Sequence, residues 1–213
     1  MEDMAADRRI GSPDAKNRTV LLDAVERLMV EEGYAAVSSR RVAERAGLKP
    51  QLVHYYFRTM DDLFLAVLRR RAEEGLAAQA RILASPQPLR ALWEFSVDRR
   101  GSALTMEFAA LANHRKALRA EIALYSERFR AQQAEAFAAF RERRPELPGE
   151  LTPVVMSVLV TSLSRVFGLE ETIGMSAGHA ETLELVERLL THFEGEALPT
   201  FPIGDENGLL RNN

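Results

Sequence analysis

The chain has 213 residues, a formal net charge of −3 and 46% apolar residues, enough for a packed core without covalent cross-links. The absence of cysteine excludes a disulfide framework, a thiolate metal site and a cysteine nucleophile, and it favours a reducing, cytoplasmic setting. The histidines show no metal-ligand spacing on one helix face, so neither a metal nor another cofactor is expected.

Apolar residues recur with a helical period in nearly every segment, and strong helix formers dominate the composition. We therefore predict an all-α protein of about nine helices. Residues 1–13 are expected to form a flexible arm and 14–58 a small three-helix domain. Residues 59–194 would form a larger helical domain, followed by an irregular tail over 195–213.

Capping residues mark the ends of the first helices. Gly33 ends the first helix, and Ser38 is a favourable N-cap for the second. Gly47 ends the second helix, and Pro50 lies in the first turn of the third, where proline is well tolerated. A fourth helix is expected to open near Thr59, and later helices to end near residues 101, 118, 144, 173 and 194.

Positive charge is concentrated in the segment from Ser38 to Arg58. Its local balance is +4, whereas residues 61–213 are net acidic. The charged residues of the segment are Arg40, Arg41, Arg45, Lys49 and Arg58, opposed only by Glu44. Because this charge lies on an otherwise acidic chain, we expect one anion-binding surface.

The second and third helices, joined by a short loop around Gly47, have the size of a helix-turn-helix unit. Val53 and Phe57 are placed to pack back against the second helix, and the third would enter the DNA major groove. The alternative is an ordinary helical hairpin whose aromatic run forms a core. The basic excess, the shortness of the third helix and its polar-tipped aromatic residues favour DNA binding.

Several short patterns occur in order along this region. They are Gly33-Tyr34, Ser38, Arg40, Val42-Ala43, Ala46-Gly47-Leu48, His54-Tyr55-Tyr56-Phe57 and Asp61-Asp62-Leu63. Together they resemble the amino-terminal domain of TetR-type transcriptional repressors. The resemblance implies a homodimer that binds double-stranded operator DNA and is released by a ligand held in the carboxy-terminal domain. Lys49, Gln51, Leu52 and His54 depart from the residues that the family often carries, so analogy does not indicate the operator sequence.

Roles in DNA binding follow from residue type and position. Ser38 and Ser39 lie at a helix N-terminus that can meet a phosphate, and Arg40 can bind guanine bidentately or contact a phosphate. Gln51 could read adenine, and Leu52 could touch a thymine methyl group. The rest of the expected DNA surface, mostly phosphate contacts, is Lys49, Pro50, His54, Tyr55, Tyr56 and Thr59. The expected core residues are Val42, Ala46, Val53 and Phe57.

The segment 153–169 is apolar almost all round, and its length raises the question of a membrane span. Arg165 and several hydroxyl residues argue against a membrane. We expect this helix to bury one side in its own subunit and, with the last helix, to form a four-helix interface with a second copy. The alternative is burial within a monomer. The expected interface residues are Val155, Val158, Leu159, Ser162, Val166, Leu185, Leu189 and Phe193.

A ligand pocket is expected among apolar and aromatic residues of the later helices, with a few polar groups. The candidates are Trp93, Glu107, Phe108, Leu111, His114, Tyr125, Phe129, Thr161 and Arg165. An inward Arg165 would suit a carboxylate ligand, and an inward Glu107 would suit a cation. The aromatic content favours a hydrophobic small molecule.

Two other classes remain as alternatives, an all-helical enzyme and a helical interaction module without DNA binding. No nucleophile–base pair, phosphate loop or metal motif supports an enzyme. An interaction module would show no salt-dependent affinity for DNA. We therefore expect a cytoplasmic transcriptional regulator that is not an enzyme. The residues leave activator and repressor open, and the resemblance favours a repressor.

Overall fold

The computed structural model describes residues 16–97 and 99–198, apart from the side chains of Arg99, Arg100 and Ser102. Every regular element within these ranges is helical, which confirms the all-α prediction. The helices are α1 (Lys16–Glu32), α2 (Ser39–Ala46), α3 (Pro50–Tyr56), α4 (Met60–Leu83), α5 (Pro88–Ser96), α6 (Arg99–Ala112), α7 (Lys116–Glu142), α8 (Pro153–Thr172) and α9 (His179–Glu194). A 3₁₀ turn, Tyr34–Ala36, follows α1. The predicted arm over 1–13 and the tail beyond residue 198 lie outside the described residues.

The described chain divides into two compact units. The amino-terminal unit comprises residues 16–75 and 103–127, and the carboxy-terminal unit comprises 76–102 and 128–198. The first helices therefore form a compact body with the end of α6 and the beginning of α7, and the division falls inside α4. This grouping differs from the division expected at residue 59, because residues distant in sequence share the core of the amino-terminal unit.

The amino-terminal unit is held together by one apolar cluster. Residues Leu21, Leu28 and Val53 are each at most 1% exposed, and each such side chain contributes about 1.5–3 kcal/mol when fully buried. The cluster also takes in residues of the second, fourth, sixth and seventh helices: Val42, Ala43, Leu63, Phe64, Val67, Leu104, Phe108, Leu111 and Leu118. This packing orients the short helices α2 and α3, which are too short to be stable alone.

Local signals fix the ends of the short helices. The hydroxyl of Ser38 accepts a hydrogen bond from Arg41 N at 3.4 Å, as an N-cap does. Gly47 ends α2 in the left-handed conformation, with φ 66° and ψ 29°. Thr59 and Asp62 form a reciprocal cap for α4: Thr59 N donates to Asp62 Oδ2 at 3.0 Å, and Asp62 N donates to Thr59 Oγ1 at 3.1 Å.

The carboxy-terminal unit combines a small apolar cluster with a buried polar network. Ile82, Leu92 and Phe137 form the cluster. In the network, Gln133 Nε2 donates to Gln79 Oε1 at 2.8 Å, and Ser157 Oγ donates to Gln133 Oε1 at 2.6 Å. These contacts join α4, α7 and α8, and they satisfy polar groups whose burial would otherwise be unfavourable.

Hydrogen bonds join the end of α9 to the beginning of α5 in the carboxy-terminal unit. The carboxylate of Glu194 accepts hydrogen bonds from Leu89 N at 2.8 Å and Arg90 N at 3.0 Å. Gln87 Nε2 donates to Glu196 O at 2.8 Å, and Leu198 N donates to Gln87 Oε1 at 2.9 Å. The first residues after α9 therefore make specific contacts, although the sequence predicts an irregular tail there.

Two predicted helix ends are wrong. The sequence predicts one helix to residue 118 and the next from 119, whereas α6 ends at Ala112 and α7 begins at Lys116. The helix expected to end near residue 101 instead ends at Ser96, and α6 begins at Arg99. The break after Ala112 is stabilised by Arg119, whose Nη2 donates to Asn113 O at 2.9 Å.

Candidate nucleic-acid interface

The helix-turn-helix consists of α2, the turn at Gly47 and α3. Val53 and Phe57 are 1% and 4% exposed, so one side of α3 is anchored in the core. Gln51 and His54 on the same helix are exposed, and Tyr55 is 50% exposed. Buried and exposed residues therefore alternate within two turns of α3, and the exposed side of the helix is polar.

The predicted DNA-binding residues differ in their exposure. Those exposed to solvent are Ser38, Arg40, Lys49, Pro50, Gln51, His54, Tyr55 and Thr59. Ser39, Leu52 and Tyr56 are half-buried. Tyr56 packs against the core cluster, and its ring meets that of Tyr55 edge-on with centroids 5.1 Å apart. Two hydroxyls already have local partners, because Ser38 caps α2 and the Thr59 hydroxyl donates to Asp62 Oδ2 at 2.9 Å.

Ion pairs reduce the positive charge that the sequence places on this surface. Arg41 Nη2 lies 2.5 Å from Glu32 Oε2, and Arg45 pairs with Glu31. The hydrogen bond from Arg41 holds the pKa of Glu32 below its usual value, so the carboxylate stays charged beside its partner. Arg40 and Lys49 have no ion-pair partner among the described residues, and their charges remain available to an anion.

The nine predicted pocket residues are divided between the two units. Phe108 and Leu111 lie in the core of the amino-terminal unit, 3% and 2% exposed. Tyr125 donates its hydroxyl to Glu73 Oε1 at 2.9 Å, and Glu107 accepts a hydrogen bond from Tyr34 N at 2.6 Å. His114 belongs to the same unit and is exposed. The remaining candidates, Trp93, Phe129, Thr161 and Arg165, belong to the carboxy-terminal unit.

The four candidates of the carboxy-terminal unit lie in different surroundings. Trp93 meets Phe167 edge-on with ring centroids 6.0 Å apart. The carbonyl of Phe129 accepts from Gln79 Nε2 at 3.1 Å. Thr161 Oγ1 donates to Ser157 O at 2.6 Å, whereas Arg165 is exposed.

Most of the predicted interface residues expose apolar surface in the single chain. Val155, Val158, Leu159 and Val166 on α8 are 36–55% exposed, and Leu185 and Leu189 on α9 are 47% and 45% exposed. Ser162 is also exposed. Phe193 instead lies against Phe140, with ring centroids 5.7 Å apart, and so packs within its own unit. Of the described helices, α8 is the one long and apolar enough to cross a membrane, and 17% of its apolar stretch is buried.

The contact of Glu107 with Tyr34 N was not anticipated from the sequence. The sequence indicates Glu107 only as a pocket candidate, because no local pattern links α6 to the turn after α1. The glycine before Tyr34 was the available signal: Gly33 has φ 82°, and a side chain there would lie 3.5 Å from Glu107 Oε2. The sequence therefore shows the glycine at this position but does not indicate its contact with Glu107.

Known proteins share both the local motif and the whole fold. The family described as "Bacterial regulatory proteins, tetR family" matches residues 21–67. The HTH-type transcriptional regulator BetI of Rhizobium meliloti (strain 1021) is 25% identical over 130 residues, which cover 60% of this chain and 59% of BetI. The match thus spans less than two thirds of that relative's length.

Solved structures cover more of the chain at lower identity. Reduced NemR of E. coli has a TM-score of 0.67 at 18% identity and covers 86% of this chain and 100% of its own. A transcriptional regulator from Saccharomonospora viridis in complex with choline has a TM-score of 0.67 at 17% identity, covering 83% and 94%. These likenesses concern the fold. Residues 21–67 are thus similar to the tetR family of bacterial regulatory proteins, and most of the chain shares its fold with these solved regulators.

Proposed function

We propose that this protein is a DNA-binding transcriptional repressor that binds a palindromic operator as a homodimer and is released by a hydrophobic small molecule. The observation that carries the proposal is helix α3. It is anchored by Val53 and Phe57 and leaves Gln51 and Tyr55 exposed beside the unpaired charge of Lys49. A short helix that is fixed on one side and polar on the other is suited to the major groove.

The contacts divide into base readout and phosphate binding. Gln51, at the start of α3, would read adenine, and Arg40 of α2 would read guanine or bind a phosphate. Lys49, His54, Tyr55 and Tyr56 would bind phosphates, and Leu52 would touch a thymine methyl group. Ser39 and Pro50, in the first turns of α2 and α3, complete the proposed DNA surface. Because the Ser38 and Thr59 hydroxyls cap helices, we assign these two residues to positioning the backbone at the helix N-termini that approach the DNA.

The apolar faces of α8 and α9 support a dimer. Val158 and Leu159 on α8 and Leu189 on α9 are each more than a third exposed in the single chain. A second copy that covers them would form a four-helix interface and would place two recognition helices on successive major grooves, about 34–36 Å apart. Sedimentation that shows only monomer at micromolar concentration would contradict this assembly.

The effector contacts are proposed in the carboxy-terminal unit. Trp93 and Phe129 offer aromatic surface there, and Thr161 and Arg165 offer polar groups. The candidates in the amino-terminal unit, such as Phe108, are engaged in its core, so we leave them out of the proposed pocket. Effector binding would release DNA by favouring a conformation in which the recognition helices no longer match the groove spacing.

Selection of bound fragments from genomic DNA with the purified protein tests the proposal most directly. An enriched palindromic sequence is expected, and no enrichment over bulk DNA would contradict the proposal. Gln51→Ala should alter which sequences are enriched. Lys49→Ala should weaken all sequences equally and flatten the dependence of affinity on salt. Unchanged affinity and preference in both variants would overturn the assignment of α3.

The chemical class of the effector can be tested once the enriched operator sequence is known. Hydrophobic small molecules and choline, the ligand of one structural neighbour, can be titrated against the preformed protein–DNA complex. An effector must lower the affinity for the operator, because it acts only through different affinities for two states. Substitution of Trp93 should weaken the response of the complex to that effector and leave binding to the operator unchanged.

A further inference from the structure

A cleft of about 650 Å³ opens on the amino-terminal unit, between α1, the end of α3 and α4. Its apolar floor includes Leu22 of α1 and Leu65 and Ala66 of α4. Around this floor the cleft is lined by polar and aromatic groups: Arg18, Thr19, Tyr56, Phe57, Arg58, Asp62, Arg69, Arg70 and Glu73. Four arginines therefore line one opening, although helix α1 lies outside the basic segment of the sequence.

Two of these arginines are neutralised within the unit. Arg69 donates to both carboxylate oxygens of Glu121, at 2.7 and 2.9 Å. Arg70 pairs with Asp23 at 2.7 Å and with Glu26. Their guanidinium groups are therefore held by carboxylates of the same unit.

Arg18 is different, because no carboxylate among the described residues pairs with it. Its guanidinium carbon lies 5.3 Å from the centroid of the Phe57 ring, so the group is fixed over an aromatic face. Burial, and then the neighbouring charge of Arg70, lower the pKa of Arg18. Both effects disfavour the charge in the isolated chain, and an added anion would offset them.

The position of this cation indicates which anion it meets. Phe57 is the C-cap of α3, and Tyr56 and Arg58 line the same cleft. Arg58 is exposed and likewise has no ion-pair partner among the described residues. The cleft thus opens at the carboxy-terminal end of the recognition helix, and in the proposed complex the groove that holds this helix is bordered by phosphate backbone.

We propose that Arg18 binds a DNA backbone phosphate and so anchors α1 on the duplex, with Arg58 at the same opening. This inference rests on the proposed DNA binding. It adds a contact from a helix that the sequence assigns only to the core. A planar guanidinium held over Phe57 is oriented before the phosphate arrives, so little conformational freedom is lost on binding.

The experiment measures the affinity of the full chain for a mixed-sequence duplex over a series of salt concentrations. Arg18→Met keeps the apolar stem over Phe57 and removes the charge, and Arg18→Lys keeps the charge. Arg27→Met is the matched control: it also removes one positive charge from α1, but Arg27 does not line the cleft. Thermal unfolding of each variant verifies that it remains folded.

The expected result is a weaker affinity in Arg18→Met for all sequences, and a smaller slope of log affinity against log salt. The slope should fall by about 0.9 for each phosphate contact that is lost, whereas Arg27→Met and Arg18→Lys should stay near the wild-type slope. If wild-type protein binds DNA and Arg18→Met matches Arg27→Met, the inference fails and the proposed function stands. If wild-type protein binds no DNA, the proposed function itself fails.

A second arm separates the DNA backbone from a free anion. Inorganic phosphate is titrated at constant ionic strength while the side-chain Nε–H resonance of Arg18 is followed by NMR, with and without the duplex. The resonance should respond to the duplex and not to free phosphate. Saturable binding of free phosphate at Arg18, with no response to DNA, would assign the cleft to a small anion and overturn the proposal.

Discussion

The backbone N–H of Tyr34 donates a 2.6 Å hydrogen bond to Oε2 of Glu107, a residue 73 positions further along the chain. This bond joins α6 to the turn that precedes α2 within the amino-terminal unit. Hydrogen bonds to a charged acceptor are stronger than those between neutral groups. Glu107 therefore positions the beginning of the helix-turn-helix.

Glu107→Ala should destabilise the amino-terminal unit by about 1–3 kcal/mol, because the half-buried N–H of Tyr34 loses its acceptor. Urea unfolding measures the loss, and amide hydrogen exchange at Tyr34 locates it. Glu107→Gln retains an acceptor oxygen and should lose less. If the amide of Tyr34 exchanges as slowly in Glu107→Ala as in wild type, the hydrogen bond contributes nothing to stability.

Gly33 has a conformation that other residues rarely adopt, with φ 82° and ψ 162°. An added Cβ would lie 3.5 Å from Glu107 Oε2, an ordinary contact, so the expected effect of Gly33→Ala is backbone strain. We expect a loss of about 1–3 kcal/mol in the free energy of unfolding. Gly149→Ala is the control, because its added Cβ meets nothing within 4 Å and its φ is not positive. Equal melting temperatures for the two variants would contradict the prediction.

The helix-turn-helix could be predicted from sequence because its signals are local. The cap at Ser38, the left-handed Gly47 and the proline at the first turn of α3 each act within a few residues. The burial of Val53 and Phe57 follows from their spacing on one short helix. Local signals of this kind leave few alternative structures for the segment.

The break between α6 and α7 could not be predicted in the same way. Residues 113–115 contain neither glycine nor proline, and the surrounding residues favour helix. The contacts at the break join distant residues: Arg115 pairs with Asp61 and lies over the Phe64 ring, 5.4 Å from its centroid. Such tertiary contacts leave no periodic trace in the sequence.

Arg90 and Glu187 should make the carboxy-terminal unit sensitive to acid. Arg90 is 7% exposed, and its two Nη atoms donate to Glu187 at 2.7 and 2.8 Å. The hydrogen bond from Arg90 lowers the pKa of Glu187. A carboxyl group with a lowered folded-state pKa stabilises the fold above its unfolded pKa of about 4.3, and this contribution is lost as the pH falls through the lower, folded value.

Glu187→Gln should therefore lower the urea midpoint at neutral pH, and the difference from wild type should shrink below about pH 4. Glu184→Gln is the control, since its pair with Arg188 spans 3.8 Å between side chains that are 75% and 65% exposed. Exposed pairs of this kind contribute little. A difference that persists unchanged into acid would show that the ionised carboxylate is not responsible.

The apolar face of α8 should determine the oligomeric state. Leu159 is 55% exposed in the single chain, and Leu159→Arg would place a charge at the proposed interface. We expect this variant to sediment as a monomer at micromolar concentration, where we expect wild type to sediment as a dimer. Leu124→Arg is the matched control, because Leu124 is 56% exposed on α7, in the other unit. If both variants are monomeric, or if neither is, the result would argue against an interface on α8.

The adjacent residues Arg40 and Arg41 should differ in their effect on DNA binding. Arg40 is exposed and has no ion-pair partner among the described residues, whereas Arg41 is held by Glu32 on α1. Arg40→Gln should weaken operator binding by about 1–3 kcal/mol if it reads a base.

Removal of the ion pair between Arg41 and Glu32 provides the comparison with Arg40→Gln. The double variant Glu32→Gln with Arg41→Gln leaves the net charge unchanged and removes an exposed ion pair, which contributes little to stability. It should therefore bind the operator nearly as tightly as wild type. Loss of an ion pair that plays no part in the complex would leave the affinity unchanged. If the affinity instead falls as far as that of Arg40→Gln, Arg41 leaves Glu32 and binds a phosphate when DNA binds.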